Sequence, residues 1–293
     1  MSAELTRIGV LGTGAMGRRF ALRLRACGYE VHAWNRTASR VAELAPRGVV
    51  VASSPRELAA STEAVVCMLW DSAALREVTA GPDGLLAGLR PGQVVADAST
   101  VEPAASRDAA VAAAAVGARL LDIPVSGSLD AAESGQLLIM ASGDRAAFEQ
   151  VRPVLDALAR KVTFVGARNG SALVLKLAIN LQVALQEIAW GEGLAIAEGY
   201  GLSRQDASGV MLDSVIASPM LAYRAPFVLD PPSDVWASVD LLLKDVEYAL
   251  ALVDRPLPAG QHAQRLLQLL HDRGLGGREA AELMTAVADG VQE

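Results

Sequence analysis

The chain has 293 residues, of which 52% are hydrophobic and 20% charged, a globular composition long enough for one large domain or two ordinary ones. A formal net charge of -7 excludes broad affinity for nucleic acid or an anionic membrane, which both attract clustered positive charge. Two cysteines and three histidines, none at metal-ligand spacing, exclude a disulfide framework and a zinc site, so no metal is expected.

The opening residues MSAELT run straight into an apolar strand pattern with no leader ahead of it, so a cytoplasmic location is expected. From Thr6 to about Val165, β-rich runs alternate with segments of helical period. RIGVLG, EVHAW, EAVVCML, QVVADAS, RLLDIPV and KVTFVG read as strands, and MGRRFALRLRACG and TASRVAELAPRG as helices. This alternation predicts a parallel sheet with crossover helices. Cys27 and Cys67 both read as lying in apolar surroundings. After Gly166 the β signal stops, and SALVLKLAINLQVALQEIAWGEGLAIAEGYG, RQDASGVML, VDLLLKDVEYALALV, PAGQHAQRLLQLLHDRG and REAAELMTAVADG all read as helices, with RAPFVLDPPSDVW an interrupting loop. The expected domains are therefore 1–165, α/β with a doubly wound parallel sheet, and 166–293, all-α.

The run 172–196 is long enough to suggest a membrane span. Lys176, Asn180, Gln182, Gln186, Glu187 and Glu192 interrupt it, and it reads as a buried helix of a soluble protein. Being apolar nearly all round, it is expected to lie between the domains and against a second subunit, in a homodimer or homotetramer.

IGVLGTGAMG places Gly12, Gly14 and Gly17 at GxGxxG spacing between a strand and a helix. The first glycine permits a tight turn, the second lets a pyrophosphate approach the backbone, and the third lets helix and strand pack closely. The helix start at Ala15 and Met16 offers free N–H groups to phosphate. Some twenty residues on, where an NAD-binding chain carries a carboxylate for the ribose 2′-hydroxyl, HAWNRTASR has Asn35 and Arg36. Arg36 can pair a 2′-phosphate through two N–H groups, and Thr37 and Arg40 follow on the same turn. NADP(H) is thus expected in preference to NAD(H), against the reading of Arg36 as a solvated loop residue. Lys176 and Asn180 are four apart and share one helix face; a lysine within ALVLKLAI is costly to bury without a task or a partner.

DAST (97–100), DIPVSGS (122–128), NGSALVLKLAIN (169–180) and LLLKDVEYAL (241–250), with the glycine loop, resemble in order the signatures of the β-hydroxyacid dehydrogenases, the family of 3-hydroxyisobutyrate dehydrogenase. VSGS, AAESGQLLIMASGD and NRT are more similar to its glyoxylate and succinic semialdehyde reductase branch. The resemblance implies a Rossmann-type first domain and hydride transfer between nicotinamide and a small aldehyde or keto acid. It implies Lys176 as catalytic acid or base, Asn180 positioning substrate or lysine, and Ser126 with Gly127 holding the substrate carboxylate. It also places Asp245 at the substrate end and adds Leu69, Thr100 and Lys244 to the cofactor contacts. Read without the resemblance, Lys244 and Asp245 fit a solvated pair on an amphipathic helix equally well, and Ser126 fits a plain turn.

The chain departs from the family pattern at Ile123, Ala172 and Ile179, which leave Lys176 and Asn180 in place. It departs also at Trp70, where proline is common, and at Ala237, where the reductases often place a substrate-facing aromatic; these leave the substrate open. Imine reductases share the NRT turn but usually lack the lysine. A cofactor-binding scaffold without turnover would lack it too, and 6-phosphogluconate dehydrogenases need a larger helical domain.

Overall fold

A computed structural model describes residues 5–291. The first four residues, part of the stretch on which the reading of a leaderless start rests, lie outside the described residues. Two units separate by their internal contacts, Met1–Lys176 and Leu177–Glu293.

Among the described residues the first unit has nine strands: β1 (Arg7–Leu11), β2 (Glu30–Trp34), β3 (Val50–Val51), β4 (Ala64–Cys67), β5 (Val94–Asp97), β6 (Arg119–Asp122), β7 (Val125–Ser126), β8 (Leu137–Ser142) and β9 (Ala159–Gly166). Their order is β3-β2-β1-β4-β5-β6-β8-β7, with β9 beside β8. The strands from β3 to β6 run parallel with helices between them, the 3-2-1-4-5-6 arrangement of a dinucleotide-binding sheet. Period-2 alternation sends Val66, Val94 and Ala96 to one face, where Phe20, Leu24, Phe148 and Leu155 cover them. Val65, Cys67 and Val95 go to the other, under Leu58, Val78, Leu85 and Ala113. Both faces are covered, as a parallel sheet requires.

Several expectations need correction. The sheet is not wholly parallel, because β8 runs antiparallel to β6 and β7. Only the six-residue helix Leu129–Ser134 separates β7 from β8, too short for a crossover. RLLDIPV is two strands, interrupted at Ile123 and Pro124, the latter without an N–H for the ladder. TASRVAELAPRG breaks into the helix Ala38–Ala42 and a 3₁₀ turn, Ala45–Arg47, at Pro46. Cys67 is buried, but Cys27, at the end of the helix Ala15–Ala26, is exposed.

The helix Ser171–Gly199 begins in the first unit and continues into the second. Length and composition alone would let it cross a membrane, and a third (33%) of its most apolar stretch is buried within the chain. Within the single chain Leu173, Leu177, Ala184 and Ile188 are buried, and Val174, Leu175 and Ile196 are exposed. In the second unit Ala184 and Ile188 pack with Leu243 and Val246 of the helix Val239–Leu250 and Leu267 of the helix Pro258–Leu270. RAPFVLDPPSDVW is not all loop, since Ala225–Val228 form a 3₁₀ turn after the helix Pro219–Arg224. In REAAELMTAVADG only Glu282–Ala288 is helical, and Glu279 instead bridges Ser238.

Candidate active site

The glycine loop joins β1 to the helix Ala15–Ala26. Gly12 has φ +93°, and a side chain there would strike the Met68 carbonyl; one on Gly17 would strike the carbonyl of Gly12. A Cβ on Gly14 would meet nothing, so open space lies over the N-cap where the helix directs its unpaired N–H groups. The residues fit a nucleotide pyrophosphate: two glycines are demanded by packing and the third by an approach that no protein atom uses.

Asn35, expected among the cofactor contacts, stitches this loop to the end of β2. Its Oδ1 accepts from Thr13 N (2.9 Å) and its Nδ2 donates to Thr37 O (3.0 Å). Thr13 was not anticipated; it is buried, and its hydroxyl has no hydrogen-bond partner among the described residues. Arg36 stands at the same strand end, its side chain 74% exposed, with Nη1 3.0 Å from Glu77 Oε2. Thr37 caps the helix Ala38–Ala42 without a side-chain hydrogen bond.

The turns after β4 and β5 are tied together. Leu69 N donates to Ser99 Oγ (2.8 Å), and Ser99 N donates to Asp97 Oδ1 (3.0 Å). Burial pushes the Asp97 carboxyl up to about 7, the Ser99 hydrogen bonds pull it down, and the nearby Asp122 carboxylate adds to the rise. Thr100 follows, buried, and Trp70 is half exposed. At the end of β7, Ser126 is half-buried opposite Leu138. Gly127 has φ +145°, and a Cβ there would meet Leu137 and Ala131, so only glycine turns the chain toward Ser128, which caps the next helix. Lys176 is half-buried in the second turn of Ser171–Gly199.

The second unit contributes a separate cluster. Asp245, 2% exposed, accepts from Asn180 Nδ2 (2.5 Å) and from Lys244 Nζ (2.7 Å). The Lys244 ammonium also lies 5.0 Å from the Tyr248 ring centroid. Lys244 and Asp245 are thus not a solvated pair: the carboxylate is buried, and Asn180 is held to it across 65 positions of sequence.

Ahead of that helix sits a buried ion triad the sequence did not reveal. Arg224 pairs with Glu187 (2.7 Å) and Glu279 (2.8 Å), and Glu279 Oε2 accepts from Trp236 N (2.6 Å) and Ala237 N (3.1 Å). Burial lifts Glu187 to about 6 against the pull of Arg224. Trp236 stacks on Tyr223 and meets Phe227 edge-on, so Ala237 has an aromatic cluster beside it in sequence. Among the described residues no group of three His, Cys, Asp or Glu could hold a metal.

The profile described as the NAD binding domain of 6-phosphogluconate dehydrogenase matches residues 7–166. That of the NAD-binding domain of NADP-dependent 3-hydroxyisobutyrate dehydrogenase matches residues 170–287. Glyoxylate/succinic semialdehyde reductase 1 of Arabidopsis thaliana is 31% identical over 283 residues, 96% of this chain and 98% of that one. The chain belongs to the β-hydroxyacid dehydrogenase family. As a member, it is an oxidoreductase that binds a nicotinamide cofactor. A crystal structure of 3-hydroxyisobutyrate dehydrogenase from Salmonella typhimurium superposes with a TM-score of 0.87 at 27% identity, covering 95% of this chain and 99% of that one. An imine reductase from Pseudomonas sp. shares the fold, with a TM-score of 0.65 at 23% identity over 97% of this chain and 99% of the other. The sequence singled out neither Thr13 in the first unit nor Arg224 with its two glutamates in the second; Asp97, Ser99 and Asp122 lie within the quoted signatures DAST and DIPVSGS but were given no role of their own. Both Asp97 and Asp122 carry a further signal, an acid closing a strand directly after buried apolar residues.

Proposed function

We propose that the protein is an NADP(H)-dependent reductase of a small aldehyde or keto acid, interconverting it with the β- or γ-hydroxy acid. The observation that carries the reading is Lys176 placed one turn ahead of Asn180 on the same helix, with Asn180 anchored to a buried carboxylate. When bound, the dihydronicotinamide supplies a hydride to the carbonyl carbon. Lys176, as ammonium, donates a proton to the oxygen as alkoxide character develops; in the oxidative direction its neutral amine takes that proton back. The Ser126 hydroxyl and the N–H groups around Gly127 hold the substrate carboxylate and fix which carbonyl face is presented. Arg36 and Thr37 hold the 2′-phosphate, Gly12–Gly17 the pyrophosphate, and Leu69, Thr100 and Lys244 the remainder of the nucleotide. The named relative reduces glyoxylate and succinic semialdehyde, and these are the first substrates proposed here.

The reading extends to a cytoplasmic homodimer or homotetramer, acting on a small carbonyl compound and not on nucleic acid or membrane. The net charge of -7 supports the last point. Purified protein is tested by following NADPH and NADH oxidation against glyoxylate, succinic semialdehyde, methylmalonate semialdehyde, a bulkier keto acid and a cyclic imine. Faster turnover of a carbonyl acid with NADPH is expected; turnover of the cyclic imine alone would replace this reading with imine reduction.

A further inference from the structure

The helix that carries Lys176 is fastened at its start by a carboxylate with no place in the chemistry above. Asp122 closes β6 and is 1% exposed. Its Oδ1 accepts from the Ser106 hydroxyl of the helix Pro103–Ala115, and its Oδ2 from the Ser142 hydroxyl at the end of β8 (2.6 Å) and from the N–H of Gly170. Ser142 Oγ, its proton directed to Asp122, accepts from Ala172 N at 2.9 Å. One residue before Gly170, Asn169 Nδ2 donates to Leu120 O (3.0 Å). Gly170 has φ +95°, and a Cβ there would press on Pro103, so the backbone is set down against the same helix that supplies Ser106.

Gly170 N and Ala172 N are among the N–H groups that a helix start leaves without intrahelical partners. Here one is bound by Asp122 directly and the other through Ser142, and a negative charge at that end is favoured by the helix dipole. Ala172 and Lys176 are one turn apart, so a shift or rotation of the first turn moves the lysine with it.

We propose that Asp122, relayed by Ser142, is a positioning residue that fixes the height and rotation of the Lys176-bearing helix on the sheet. The proposal rests on the reading of Lys176 as the proton donor. Three measurements on the full chain test it. In hydrogen exchange, Asp122→Asn, which turns one acceptor oxygen into an amide donor, should speed exchange of the amides from 170 to 177 by roughly tenfold. Exchange in the Gly12–Gly17 loop should not change. In turnover with NADPH and the better of glyoxylate and succinic semialdehyde, Asp122→Asn should lower kcat by roughly 10–100-fold. In a Lys176→Ala background the same change should cost less than about twofold, because the group it positions is gone.

Unchanged exchange at 170–177, wild-type kcat in Asp122→Asn, or an equal loss in both backgrounds would each overturn the proposal. The last would make Asp122 a general stabiliser. If Lys176→Ala itself keeps wild-type turnover, the reading of Lys176 fails and takes the proposal with it, a result distinct from the other three. Should Asp122→Asn not fold, Ser142→Ala cuts only the relay, with the same pattern expected at roughly 2–10-fold in kcat.

Discussion

Arg36→Asp reverses the charge at the end of β2, where the proposal seats the 2′-phosphate of NADPH. A charge-assisted contact of guanidinium with phosphate contributes about 1.5–3 kcal/mol, roughly 10–150-fold in Kd. The Arg36 side chain is 74% exposed, so water and salt screen it and the loss should fall near the lower end, about tenfold. The aspartate can then accept from a ribose 2′-hydroxyl, and NADH should gain. The structure adds a second perturbation, because Glu77 already holds the guanidinium at 3.0 Å. An arriving phosphate must displace or share with it. An exposed pair contributes about 0.2–1 kcal/mol, so Glu77→Gln should tighten NADPH by roughly 1.4–5-fold and leave NADH nearly unchanged. Quenching of intrinsic fluorescence on titration of the wild type and both variants with each cofactor, at low and high salt, measures these constants. The Glu77 effect should shrink as salt rises. A wild-type preference for NADH, or an Arg36→Asp variant that binds NADPH as before, would refute the reasoning.

Three further outcomes follow from the buried charges and the exposed apolar residues. Asp97 is raised from 3.8 to about 7, so between those values the folded state holds a proton that the unfolded chain has released. Stability therefore falls as pH climbs from about 4 to about 7 and levels off above, by at most about 4 kcal/mol from this group. Asp97→Asn should flatten that slope in urea midpoints taken across the range, and parallel curves for the two proteins would count against it. Arg224→Met leaves Glu187 and Glu279 buried without their cation and should cost about 3–5 kcal/mol in urea unfolding at neutral pH. The loss should ease as pH falls toward about 6, because Glu187, without the pull of Arg224, takes up its proton at a higher pH in the variant than in the wild type, and a pH-independent loss would contradict the assignment. Ile196, Tyr200, Val210 and Val215 are largely exposed on the isolated chain, and light scattering should report a dimer or tetramer; a stable monomer at micromolar concentration would contradict the proposed assembly.

The fold was legible where burial writes a local pattern. β1, β4 and β5 are apolar runs because both sheet faces are covered, and Gly12 and Gly17 are dictated by backbone contacts only a few residues to some tens of residues away. β3 was missed because it has two residues, both exposed, and β8 because its direction depends on how little chain separates it from β7. The polar machinery was legible in residue type and not in partnership. Lys176 and Asn180 announce themselves by helical spacing, but Asn180 meets Asp245 65 positions on, and Asp122 meets Gly170 48 positions on. Such pairs leave no periodic trace, since only the folded chain brings them within hydrogen-bond reach. Asn35 stood out by its position beside Arg36, but that its amide fastens the glycine loop was visible only in the fold.

The central claim, a carbonyl reductase with Lys176 as its acid, is tested most directly by Lys176→Ala measured for cofactor binding and turnover together. The account predicts a kcat lower by roughly 10²–10⁴ on the best carbonyl substrate, with NADPH affinity little changed because the proposed nucleotide contacts, the glycine loop and Arg36, do not include Lys176. Lys176→Arg should restore little, since guanidinium keeps its proton at any usable pH and has a different shape. Near-wild-type turnover in Lys176→Ala would contradict the account.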